Sequence, residues 1–275
     1  MEQHTKQEKM EAFGRLLDVM DDLREKCPWD RKQTNESLRP NTIEETYELS
    51  DALINNDTLN ICKELGDVLL HIVFYSKIGE EKGDFDVADV CNKLCDKLIF
   101  RHPHVYGNAI ANSVGEVLQT WEQIKLKEKG GNKTVLSGVP DALPSLIKAY
   151  RIQDKASNVG FDWDECDQVW DKVKEEISEF EAEIRVAYAN ANNEEDKKMA
   201  KDKATKEFGD VLFSLINAAR LYKINPDTAL EYTNHKFINR FNYVEEKAKE
   251  QGVALKDMTL GEMDALWNEA KGLFR

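Results

Sequence analysis

The chain has 275 residues, 41% of them hydrophobic, enough for a packed core in one large domain or two of ordinary size. Its formal net charge of −14 argues against general binding to nucleic-acid backbones, which needs clustered Lys and Arg, but leaves room for a small anion held through a divalent metal. The five cysteines (Cys27, Cys62, Cys91, Cys95, Cys166) are odd in number and form no C-x-x-C pair, so they read as free thiols of a reducing cytosol.

Along the chain, "MEQHTKQEKMEAF" lacks the apolar run of a signal peptide, and no stretch approaches the ~18 apolar residues of a membrane span, so a cytoplasmic protein is expected. Helical spacing dominates. Leu16, Val19, Met20 and Leu23 form a first stripe, and Leu65, Val68, Leu69, Ile72 and Val73 a second. Val169, Val173, Ile177, Phe180 and Ile184 form a third. The prolines, Pro40 and Pro103 among them, are expected where these patterns stop or start. The fold class is therefore all-α. The Gly- and Pro-rich segment "KGGNKTVLSGVPDALPS" reads as a linker over 129–145, between helical domains at 1–128 and 146–275. The polar "NANNEEDKK" (190–198) reads as a solvated loop.

The two halves repeat one another in order. "CPWD" (27–30) answers "FDWD" (161–164), "EETYE" (44–48) answers "EEISE" (175–179), and "KELGDVLL" (63–70) answers "KEFGDVLF" (206–213). "KLIFR" (97–101) then answers "KFINR" (236–240), and "GEVLQTWEQIK" (115–125) answers "GEMDALWNEAK" (261–271). Two copies are too few for a solenoid, so a tandem pair of related helical bundles fits.

The repeated residues carry chemistry. Glu45 and Glu48, Glu64 and Asp67, Glu176 and Glu179, and Glu207 and Asp210 are each three apart, on one side of a helix. Two such helices packed antiparallel bring four carboxylates together, an arrangement that repels itself unless a cation joins it. Oxygen ligands without Cys or His point to Mg²⁺, with Mn²⁺ as the alternative. A single E-E-x-x-E on a helix is commonly just a solvated face. Recurrence in both halves, inside an apolar stripe, favours a site. Gly66 and Gly209, costly in a helix interior, suggest close packing of the acid helices. Lys97 and Arg101, and Lys236 and Arg240, are four apart and offer paired cations for phosphate oxygens. Trp121 and Trp267 either stack on a nucleobase or pack in a core.

The order CPWD, EExxE, ExGD, K-x3-R and a late Trp, with "CPWDRKQT", "LRPNTIEETYEL", "RHPHV" and "NVGFDW", closely resembles the MazG family of the all-α NTP pyrophosphatase superfamily, over about residues 10 to 275. The resemblance implies Mg²⁺-dependent hydrolysis of a broad range of NTPs and dNTPs to nucleoside monophosphate and pyrophosphate by a homodimer of helical bundles. It implies metal ligation by Glu176, Glu179, Glu207 and Asp210; within such a cluster, Glu176 or Glu179 is the expected base. It also implies nucleotide contacts from Lys172, Lys206, Lys236, Arg240 and Trp267, while the internal repeat offers a candidate second site at Glu45, Glu48, Glu64, Asp67, Lys97 and Arg101. The C-terminal half is expected to carry the activity, because its acid helices are joined by a longer segment that could fold as a lid. Pro103 is expected to stop the first half's basic helix just after Arg101. Other readings stay open: a specialist for dUTP or a damaged nucleotide, a non-catalytic nucleotide-binding scaffold, or a di-iron bundle, for which Asp67 and His71 have the wrong spacing. No P-loop occurs, and neither a nucleic-acid polymer nor a membrane is expected as a partner.

Overall fold

A computed structural model describes residues 3–109, 113, 116, 117, 124, 134–190 and 194–274. Helices are the only regular elements among them, and no described helix is long and apolar enough to cross a membrane. The chain divides into two compact units, Met1–Ala111 and Asn112–Arg275.

The first unit contains α1 (Lys6–Lys26), α2 (Asn35–Ile54), α3 (Thr58–Lys82), α4 (Val87–Arg101) and the single turn α5 (Pro103–Tyr106). Side-chain caps fix the starts. The hydroxyls of Thr5 and Thr34 accept from the backbone N–H three residues on, and Asp57 and Asp86 do the same for α3 and α4. The three residues between α2 and α3 close a helical hairpin. Its apolar side meets α1 around Met20, Leu38, Val73, Phe74 and Ile78. Gly83, at φ 72°, ends α3 in the left-handed region. Gly79 has no room for a Cβ, which would stand 2.8 Å from the Phe85 carbonyl oxygen. Arg24 ties this end of the unit together. Its guanidinium pairs with Glu81 and donates to the carbonyls of Asp30 and Gln33, holding the CPWD turn against α1.

The second unit repeats the plan with α6 (Ser145–Ser157), α7 (Gln168–Asn190), α8 (Glu194–Leu221), α9 (Pro226–Glu250) and α10 (Leu260–Leu273). Here α7 and α8 form the hairpin, α6 packs on α8, and α9 pairs with α10. Val169, Val173 and Ala218 are buried at the base of the hairpin. Val244, Ala248, Leu266 and Ala270 are buried on α9 and α10. The FDWD segment occupies the α6–α7 connection, as CPWD occupies the α1–α2 connection. Trp121 and most of the last repeated block of the first half lie outside the described residues, as do residues 129–133 of the expected linker.

Three expectations are corrected. Pro40 does not punctuate: it lies inside α2, where its missing N–H removes one hydrogen bond near the helix start and the helix continues. Within the segment 190–198, residues 194–198 are not a loop, because α8 already begins at Glu194. Its sequence "EEDKKMAKDKATKE" is rich in Glu, Lys and Ala, with opposite charges three and four apart, so it extends the helix instead of forming a lid. Gly66 and Gly209 do not mark close packing, since a Cβ at either would have no neighbour within 4 Å among the described residues. By contrast, α4 does end at Arg101, and Pro103 opens α5.

Candidate active site

In each unit the hairpin turns acidic residues of both helices toward one point. On α2 and α3, one carboxylate oxygen each from Glu45, Glu48 and Glu64 lies within 4.8 Å of the others. On α7 and α8, Glu176, Glu207 and Asp210 meet the same criterion. The spacing of three within each helix and the antiparallel packing together produce both trios. Asp67 and Glu179 stand outside the trios but close enough to act on them. Incomplete solvation, then Asp67, Glu48 and Glu64, push the Glu45 carboxyl above its ordinary range. Desolvation, then Glu179, Asp210 and Glu176, do the same to Glu207.

A lysine answers part of this charge. In the first unit Lys63 Nζ is 2.8 Å from Glu64 Oε1 and 3.7 Å from Asp67. In the second, Lys172 Nζ is 2.8 Å from Glu176 and 2.9 Å from Glu175, and these bonds raise its pKa. One ammonium does not balance three carboxylates. The buried Glu64 also leaves Oε2 without a hydrogen-bond partner, a costly state for a charged group. An all-oxygen donor set with surplus negative charge and an orphaned buried oxygen fits a hard divalent cation.

The surroundings of the two trios differ. Beside the first is a cavity of about 560 Å³ whose charged lining is Glu44, Glu48, Asp51, Asp57 and Glu64, all acidic. Beside the second is a cleft of about 690 Å³ that takes in Lys172, Glu176 and Asp210 at one end. Its other end is built by Gln153, Phe161, Asp162, Trp163, Asn217 and Arg220. Asp162 holds this end in place. It pairs with Arg220 and accepts from Ser157 Oγ at 2.6 Å and from the Trp163 N–H at 2.9 Å.

The remaining expected residues are elsewhere. Lys206 is exposed and makes no ion pair among the described residues. Arg240 donates to the Phe274 carbonyl from Nε at 3.0 Å and Nη2 at 2.7 Å, with its guanidinium 5.9 Å from the Trp267 ring centre. Trp267 packs on Phe237, 4.9 Å between ring centres. Lys236 is half-buried on the same helix, and neither Lys236, Arg240 nor Trp267 lines the cleft. Lys97 is exposed and Arg101 half-buried at the end of α4. Sequence reasoning missed Gln153, Asn217 and Arg220 altogether. Trp163 had a signal in the repeated W-D pair.

Fold and site define an all-α enzyme whose helix hairpins gather carboxylates around one point. A family model, the MazG nucleotide pyrophosphohydrolase domain, matches residues 33–106, which hold the first acid set. The nucleoside triphosphate pyrophosphohydrolase/pyrophosphatase MazG of Thermotoga maritima is 40% identical over 265 residues, 94% of this chain and 96% of that protein. The nucleoside triphosphate pyrophosphohydrolase of Escherichia coli K12 is 39% identical over 267 residues, covering 95% and 98%. An uncharacterized Bacillus subtilis protein, YabN, is 45% identical over 97% of this chain, which spans 53% of its length. The chain belongs to the MazG family of nucleotide pyrophosphohydrolases.

Proposed function

We propose that the second unit hydrolyses nucleoside triphosphates, ribo and deoxy, to nucleoside monophosphate and pyrophosphate, with Mg²⁺ or Mn²⁺ as cofactor, in a homodimer. The observation that carries this is the cleft shared by Lys172, Glu176 and Asp210 with an aromatic-edged pocket long enough for a nucleoside. The relatives' names supply the reaction. A wall of five carboxylates in the first unit repels a polyphosphate, whereas the second cleft offers it an ammonium.

Glu176, Glu207 and Asp210 would hold the ion, which when bound lowers the pKa of a water and offsets phosphate charge. Glu179, exposed and outside the trio yet near enough to raise the Glu207 pKa, would take a proton from the attacking water. Lys172 exchanges part of its bond with Glu176 for an α-phosphate oxygen and stabilises the charge that grows there as pyrophosphate leaves. The first unit supports assembly and binds cations without turnover. The test is pyrophosphate release from mixed NTPs with Mg²⁺. Release of orthophosphate alone, or of nothing, from folded protein overturns the reading.

A further inference from the structure

The far end of the second cleft has its own chemistry. Asp210 and Asn217 both line the cleft from α8, two helical turns apart, or about 10 Å along the axis. An α-phosphorus is separated from the outer edge of its own nucleobase by a similar span. A nucleotide whose α-phosphate meets the acid trio therefore brings its base to Asn217.

Two amide side chains meet it there, and the orientation of each is settled by its partner. Gln153 on α6 donates from Nε2 to the Phe213 carbonyl at 2.8 Å, and a carbonyl can only accept. Its Oε1 is then an acceptor that is buried without a partner, on a residue only 6% exposed. Asn217 accepts at Oδ1 from Arg220 Nε at 3.1 Å and Nη2 at 2.9 Å, and a guanidinium can only donate. Its Nδ2 is then a donor, with no partner among the described residues. Arg220 is itself held by Asp162, so Asn217 is locked through two further side chains. At the mouth, Phe161 is 82% exposed and follows Gly160, whose φ of 90° is one that glycine adopts without strain. Trp163, 40% exposed, lines the same end. Large aromatic surface left open beside unpaired polar atoms suits a flat ring with polar edges.

We propose that this end of the cleft selects amino-bearing bases, adenine and cytosine: Gln153 Oε1 accepts from the exocyclic amino group, Asn217 Nδ2 donates to the adjacent ring nitrogen, and Phe161 and Trp163 cover the ring. Keto bases present the opposite order, a carbonyl oxygen followed by a ring N–H. They would set oxygen against Gln153 and N–H against Asn217. The inference rests on the pyrophosphohydrolase reading of this cleft and adds the base it prefers.

The test compares kcat/KM for ATP, ITP and purine riboside triphosphate, which lacks the amino group, in the full chain. Wild type should favour ATP over both analogues by about tenfold or more, as sites built around a substrate N–H do. Gln153→Met removes the acceptor at similar volume and should bring the ratio of ATP to purine riboside triphosphate within about twofold of one. Asn217→Asp keeps Oδ1 for Arg220 and turns the donor into an acceptor, so each base then makes one matched and one mismatched contact, and the ratio of ATP to ITP should fall several-fold toward one. Equal use of the three triphosphates by wild type, or unchanged ratios in folded variants, overturns the proposal. If one variant fails to fold by circular dichroism, the other decides, and the wild-type comparison stands by itself. If wild type releases no pyrophosphate from any of them, the pyrophosphohydrolase reading fails. The three Kd values from calorimetry then carry the same comparison, and equal values overturn the base assignment.

Discussion

Lys172 Nζ lies 2.8 Å from Glu176 Oε1, one helical turn away on α7. The ammonium therefore partly occupies the electrostatic place that an ion would take. Lys172→Met should tighten Mn²⁺ binding roughly tenfold, the scale of one unit charge at contact distance in a water-like dielectric. The same change should raise KM for the triphosphate. Titration calorimetry with Mn²⁺ checks the first part, and unchanged or weaker binding would count against the trio as the ion site.

The two acid sets can be separated by paired substitutions. Glu207→Gln/Asp210→Asn should lower turnover at least ~100-fold under saturating Mg²⁺, the scale of losing groups that hold or deprotonate the reacting water. Glu64→Gln/Asp67→Asn should leave more than half of it. A dead first-unit variant beside an active second-unit variant would reverse the assignment, and half-loss in each would make both copies enzymes.

Asp162 links stability to acid. Burial pushes its carboxyl up, but the bonds from Arg220, Ser157 and the Trp163 N–H outweigh this and hold it below the ordinary 3.8. A carboxyl depressed by folding adds stability that is fully present above its unfolded value and is lost as pH falls through its folded one. Asp162→Asn should cost about 2 kcal/mol at neutral pH, the scale of a hydrogen-bonded charged group. Urea melts should show the gap between wild type and variant narrowing below pH ~3.8. A gap independent of pH would mean that shape, not charge, holds the FDWD turn.

Both acid helices leave matching apolar surface open. Leu65 and Ile72 on α3 are 53% and 45% exposed, and their repeat partners Phe208 and Leu215 on α8 are 47% and 40% exposed. Gly66 and Gly209 beside them have open space where a Cβ would go. A second copy would cover these faces. Light scattering at micromolar concentration should give a mass of two chains, and a value near 31.6 kDa would refute the dimer.

The acid sets were legible because their information is local. Three-residue spacing fixes a helix face before any tertiary structure is known, and the repeat supplied the second helix. Gln153 and Asn217 had no such signature. Their roles arise only when α6 packs on α8 and an amide finds the Phe213 carbonyl. Lys236, Arg240 and Trp267 show the converse. Their spacing is regular, yet Arg240 is taken up by the backbone carbonyl of Phe274 and Trp267 by a neighbouring ring. The helical stretch from Glu194 was misread because polar composition suits a loop and a charged helix equally well.

The α7–α8 hairpin runs well past the chemistry it supports. Asn190 lies fourteen positions beyond Glu176, and Glu194 thirteen positions before Glu207, so each arm projects about 20 Å beyond the acid trio. Residues 191–193 thus join in sequence two arms whose working ends are anchored elsewhere, at Val169, Val173 and Ala218. For protein engineering this makes the tip a docking post. A reporter peptide or a protease site can be spliced in there while the carboxylates stay in register, because their spacing is set at the base of the mast and not at its top.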